Sequence, residues 1–193
     1  MSKKLRRVLF FTGLAIVMVS LAFFVYSYFS ISNNKNGAAD IVSKLNTLIP
    51  ETTKGYPTEK SDTTMPVIEL DGVDYIGTIS IPISNTTLPV CNKWSSTDVS
   101  KYPHRFCGSV YNGTLVIGGS DNPGQFDFMK LISAGDLVYI TDTTGAVFTY
   151  SVNNIVTTED VSFEALNNTG AELTLFSRNT YALDYTVVMC ELK

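Results

Sequence analysis

The chain has 193 residues and a net charge of −4, enough for one ordinary domain and an additional segment. Its 14 basic residues against 18 acidic ones leave no basic footprint, which argues against a charge-driven nucleic-acid surface. Hydrophobic residues make up 45% and charged residues only 17%, so an apolar excess must be concentrated somewhere.

It is concentrated at the start. Lys3, Lys4, Arg6 and Arg7 precede an uncharged run of 22 residues, 8–29. A helix rising about 1.5 Å per residue needs roughly 20 residues to cross the hydrocarbon core of a bilayer. Residues 8–29 therefore read as a single-pass transmembrane anchor, with residues 1–7 as a cytoplasmic basic tail and everything beyond as extracellular. A cleaved signal peptide is the competing reading. Its apolar region would span about 7–15 residues with a small-residue site directly after it, whereas Ala38-Ala39, the nearest small pair, lies well downstream.

Residues 30–65 read as an extracellular helix and linker. Ile41, Leu45 and Leu48 stand at helical spacing in "GAADIVSKLNTLIP", a short amphipathic helix that Pro50 stops. "ETTKGYPTEKSDTTMP" then has the Thr, Lys, Gly and Pro content of a linker.

From residue 66 to 193 the pattern changes to short β-type runs bounded by turn residues: 67–70, 75–81, 87–90, 115–118, 136–142, 147–152, 173–176 and 185–192. "LDGVDY" supplies one turn and "DTTGA" a hairpin. Helical pieces are minor, near 97–101, 125–132 and 162–166. Eight short strands in this length predict an all-β fold, an eight-stranded barrel whose closure removes exposed edges.

The chemistry-bearing residues are few. Cys91, Cys107 and Cys190 lack metal-ligand spacing, so no metal and no cofactor is expected. Cys91 and Cys107 read either as a disulfide or as two buried thiols. His104 is the sole histidine, which limits acid–base chemistry. It stands three residues before Cys107 in "YPHRFCGSV", read as a connector on the outside of the barrel with an exposed imidazole. Arg105 reads as a solvated charge or a partner of Asp98, and Trp94 as a lid over the barrel end.

Several phrases resemble one family. "YIGTISIPISNTTLPV" resembles the opening strands of a sortase, and "GTLVIGGS" is similar to the family strand that ends in Gly-His. "GQFDFMKLISAGDLVYITDTTGAVFTYSV" is similar to the helix, turn and hairpin that follow, and "LTLFSR" to the strand end Thr-Leu-x-Thr-Cys. The resemblance covers residues 75–193, in family order, and is nearest to class B or D. It implies a barrel on the outer face of a Gram-positive bacterium, in a family of cysteine transpeptidases that attach surface proteins or pilins to the cell wall. A sorting-signal peptide, a pilin or another sortase is the implied partner. In that family a Cys attacks, a His exchanges protons, and an Arg supports the oxyanion.

Carried over along these motifs, Ser120 falls on the family His, Arg178 on the Cys and Tyr185 on the Arg, with Asp184 one position away. All three are substituted. Arg178 keeps its proton at physiological pH and offers no nucleophilic atom. Ser120 needs a base, and Tyr185 brings no positive charge. Strand parity turns Ser177 away from Arg178's face and Cys190 into packing. The expectation is a sortase-fold protein without transpeptidase chemistry. The alternatives are an active transpeptidase with non-standard residues, with Cys107 and His104 as the candidate pair, or a purely structural cell-surface assembly factor.

Overall fold

A computed structural model describes residues 3–51, 64–159 and 161–193. The linker read at 51–65 therefore falls almost wholly outside the described residues. The chain divides into two units, Met1–Asn36 and Gly37–Lys193. Helix α1 spans Lys3–Leu48. In the first unit, Arg6–Phe29 is long and apolar enough to cross a membrane, and its large apolar side chains are exposed.

The second unit opens with the last turns of α1. Ile41, Leu45 and Ile49 share one helix face by their four-residue spacing. They pack with Tyr75, Cys91 and Tyr102, and Leu45 is fully buried. The apolar stripe thus continues through Ile49 rather than Leu48, which is 54% exposed. Ala38 joins the main core, and Lys44 pairs with Asp40 and Asp71 at 3.0 and 3.6 Å.

Among the described residues nine strands follow: β1 (Ile68–Leu70), β2 (Val73–Ile81), β3 (Thr86–Cys91), β4 (His104–Cys107), β5 (Leu115–Ser120), β6 (Leu137–Asp142), β7 (Val147–Thr158), β8 (Leu173–Arg178) and β9 (Tyr185–Leu192). Helix α2 (Phe163–Asn167) precedes β8, and Ser162 caps it by accepting from the Ala165 backbone N–H. The strands run β2-β3-β4-β5-β8-β9-β7-β6, and β6 returns to β2, which closes an eight-stranded barrel. The short β1 extends β2 as a hairpin.

Strand count and fold class match the sequence reading, but membership differs. The run at 67–70 is the appended β1, and the eighth barrel strand is β4, read as a connector. β4 is only four residues long, carries a bulge between Arg105 and Cys107, and pairs with β3 at the single position Cys91↔His104. Such a strand leaves almost no period-2 signal. β7 extends to Thr158, six residues past the expected end, because its outer half pairs with β9 from Asn154↔Met189 to Thr158↔Tyr185.

Alternation sets the core. Leu115 and Ile117, Val138 and Ile140, Leu173 and Leu175, and Val188 and Cys190 all face one interior cluster. Closure at β2–β6 depends on Gly77, whose φ is +137°. A Cβ there would lie 1.9 Å from the Thr141 carbonyl oxygen. The β6–β7 hairpin is held by buried Asp142. One oxygen accepts from Thr144 N–H (2.8 Å), Thr144 Oγ1 (2.7 Å) and Ala146 N–H (3.0 Å), and the other from Tyr111 hydroxyl (2.6 Å).

Candidate functional site

The parallel pair β5–β8 and the antiparallel pair β8–β9 place three residues in one lateral row. Ser120 is the register partner of Arg178, and Arg178 is the register partner of Tyr185. Neighbouring strands lie about 4.8 Å apart, so Ser120, Arg178 and Tyr185 lie in one row at a strand-end edge. Arg178 and Tyr185 line a groove of 310 Å³ together with Trp94, Ser96, Phe106 and Phe176 among others; the β5 residue in its lining is Gly119, not Ser120.

The face that carries this row is the outer one. Phe176 precedes Arg178 by two residues and packs with Val116, Leu166 and Val187 outside the barrel core. Ser177, between them, is 1% exposed, and its Oγ has no hydrogen-bond partner among the described residues. Cys190 is likewise interior. Both follow the expected parity.

Trp94 builds the upper wall. Its ring lies 5.5 Å from Phe176 at a 35° tilt, and it meets Phe106 edge-on at 5.0 Å and His104 at 6.4 Å. Gly118 makes the stack possible, since a Cβ there would come within 2.4 Å of the Trp94 ring and 2.6 Å of Phe176. Trp94 is thus a groove wall at 37% exposure rather than a lid on the barrel end. Sequence reasoning missed Phe106 and Gly118. The Gly-Gly pair in "LVIGGS" was the available signal, because a strand glycine marks the close approach of another group.

The turns around the row are pinned. The Ser120 backbone N–H donates to the Gln125 side-chain carbonyl, and Gln125 Nε2 donates to the Val99 carbonyl at 3.0 Å. Asp121 accepts from Thr180 N–H and Oγ1 at 3.0 and 2.6 Å, which ties the end of β5 to the β8–β9 connector. Asp184 accepts from the Asn179 side-chain amide inside that connector. Asp121 and Asp184, next in sequence to Ser120 and Tyr185, thus both help hold the turn. Among the described residues, no carboxylate lies within ion-pair distance of Arg178, which is exposed.

The chemistry available here is limited. Ser120 Oγ accepts from Asn122 N–H at 3.3 Å, and no base among the described residues bonds it. His104 is buried at 5%, which corrects the expectation of an exposed imidazole in a connector. Its Nδ1 donates to the Lys93 carbonyl at 2.5 Å, and its Nε2 is buried without a partner among the described residues. Because of the β4 bulge, His104 and Cys107 stand opposite Gly118 and Val116, on one face of the sheet. Arg105 is half-buried, and desolvation lowers its pKa; it is neither a solvated charge nor a partner of Asp98, which pairs with Lys101.

None of the three cysteines is in a disulfide, so Cys91 and Cys107 are not bridged. Burial pushes Cys190 up to about 12, and burial followed by the Asp98 charge pushes Cys91 up to about 12. Burial also raises Cys107, with Arg105 acting against it. A thiol held protonated is a poor nucleophile at neutral pH. No group of three or more His, Cys, Asp or Glu among the described residues could hold a metal ion.

No protein-family model matches the sequence, and no curated protein matches it. Solved structures do. Sortase C-3 from Streptococcus pneumoniae is similar with a TM-score of 0.56 and 15% identity, over 85% of this chain and 84% of that one. The fold is that of the sortases. A second sortase C from Streptococcus pneumoniae gives 0.55 and 20% identity over 84% and 88% of the two chains. Sortase A from Corynebacterium diphtheriae gives 0.52 and 16% over 84% and 84%.

Proposed function

We propose that this chain is a membrane-anchored, extracellular sortase-family protein that has lost transpeptidase chemistry and keeps its groove as a peptide-binding surface. The row Ser120–Arg178–Tyr185 carries the proposal. In the family pattern this row would hold the proton-exchanging His, the attacking Cys and the oxyanion-supporting Arg. Here a guanidinium occupies the nucleophile's place, a hydroxyl the base's, and a phenol the cation's. The three thiols of the chain are elsewhere and raised in pKa, which supports the same reading.

The anchoring part of the proposal rests on Arg6–Phe29, preceded by Lys3 and Lys4, which orients the tail inward and the barrel outward. The implied partner is a sorting-signal peptide, a pilin or an active sortase on the surface of a Gram-positive cell. The sequence motifs favour class B or D, whereas the similar solved structures named above are sortases C and A.

The test uses the full-length chain in lipid nanodiscs, incubated with sorting-signal peptides and an amine acceptor. The expected outcome is binding without cleavage or ligation. A product whose formation depends on a side chain of this protein would contradict the proposal.

A further inference from the structure

The groove is apolar along its walls and cationic at one point. Arg178 is the charged residue among its described lining, and Phe176 sits two residues back on the same strand face. Among the described residues no carboxylate lies within ion-pair distance of Arg178, and Asp121 and Asp184 accept instead from Thr180 and Asn179. Arg178 is exposed, and its register partners are Ser120 and Tyr185. A planar fork of N–H groups is matched to a carboxylate, which it can hold through two parallel hydrogen bonds.

We propose that this groove receives the C-terminal end of an apolar peptide, with Arg178 holding the α-carboxylate. The inference rests on the reading of the groove as a non-catalytic peptide site and names the ligand class for it. A chain end fits better than an internal acidic residue. In a C-terminal apolar residue the carboxylate and the apolar side chain leave the same Cα, and here the apolar wall runs right up to the guanidinium. An internal acidic residue would have to carry its backbone onward past Arg178.

Trp94 is the sole tryptophan of the chain and forms part of the groove wall, so its emission reports occupancy directly. The full-length protein in lipid nanodiscs is titrated with a short N-acetylated peptide of leucine, alanine and valine, as the free acid and as the C-terminal amide. A third peptide carries an amidated end and one internal glutamate. The expected result is binding of the free acid about tenfold or more tighter than of either amide, the size of one charge-assisted pair. Arg178→Gln should bring the free acid down to the amide's affinity and leave the amide unchanged, while Arg178→Lys should retain part of the preference.

Equal affinity for acid and amide would overturn the carboxylate assignment and leave the peptide-binding reading standing. Equal affinity for the internal-glutamate peptide and the free acid would overturn the chain-end assignment. No response of Trp94 to any of the three peptides, with none binding by calorimetry, would overturn both.

Discussion

Arg178 on β8 and Tyr185 on β9 are direct register partners, and both side chains line the groove whose far wall is Trp94. Ser120 completes the row from the parallel strand β5. This convergence depends on β5 and β8 lying side by side although more than fifty residues separate them in sequence. A one-residue slip of either strand would turn its member of the row into the barrel.

The position of Arg178 makes a labelling prediction. Replacing it by cysteine puts a thiol on an exposed strand end, whereas Cys91 and Cys190 are buried and held protonated. Arg178→Cys should react with a methanethiosulfonate reagent at neutral pH at least tenfold faster than either buried thiol in the native chain, read by mass spectrometry of the labelled peptides. Equal rates would mean that position 178 does not face the groove.

The buried thiols also set an alkaline limit on stability. An ordinary thiol titrates near 9, and Cys91 and Cys190 are raised to about 12 in the folded chain. Below pH 9 both states hold the proton and stability is unaffected. As pH rises from 9 towards 12 the unfolded chain loses the proton first, so the contribution of these groups is progressively lost. The melting temperature should fall across that window, and Cys190→Ala should fall less steeply than the native chain. Identical slopes for the two would remove the thiol from the account.

Gly118 holds the aromatic wall open. Gly118→Ala brings a methyl group within 2.4 Å of the Trp94 ring and 2.6 Å of Phe176. Overpacking of this kind costs about 1–3 kcal/mol. Chemical denaturation should show that loss, together with a red shift of Trp94 emission as the indole is pushed towards water. An unchanged spectrum would show that the wall is not built on Gly118.

Asp142 is the hairpin's internal cap. With four hydrogen bonds converging on it, Asp142→Ala should destabilise the barrel by about 2–4 kcal/mol, while Asp142→Asn keeps an acceptor oxygen and should cost less. Urea unfolding of the two variants gives the comparison. Equal losses would mean that the pocket needs charge rather than an acceptor at that place.

The sequence made much of the barrel readable, because its long strands alternate cleanly and its hairpins carry turn residues. The β6–β7 hairpin with "DTTGA" and the helical pieces near Asp98, Phe126 and Phe163 lie where the pattern placed them. β4 was not readable: it is short, bulged, and led by a buried histidine. The register puts Ser120, Arg178 and Tyr185 in one row, while the roles that the motifs give them stay part of the proposal. The aromatic wall was not readable, because Trp94, Phe106 and Phe176 come from three separate segments, and nothing local announces that they meet.

Whether any thiol of this chain can attack a peptide carbonyl is settled most directly by intact-protein mass spectrometry after incubation with a sorting-signal peptide and no acceptor. The proposed function predicts that the protein mass stays unchanged, because in it Arg178 stands at the nucleophile's position and offers no attacking atom. A covalent acyl adduct mapped to Cys107, lost in Cys107→Ala, would contradict the account and establish a working enzyme with relocated chemistry.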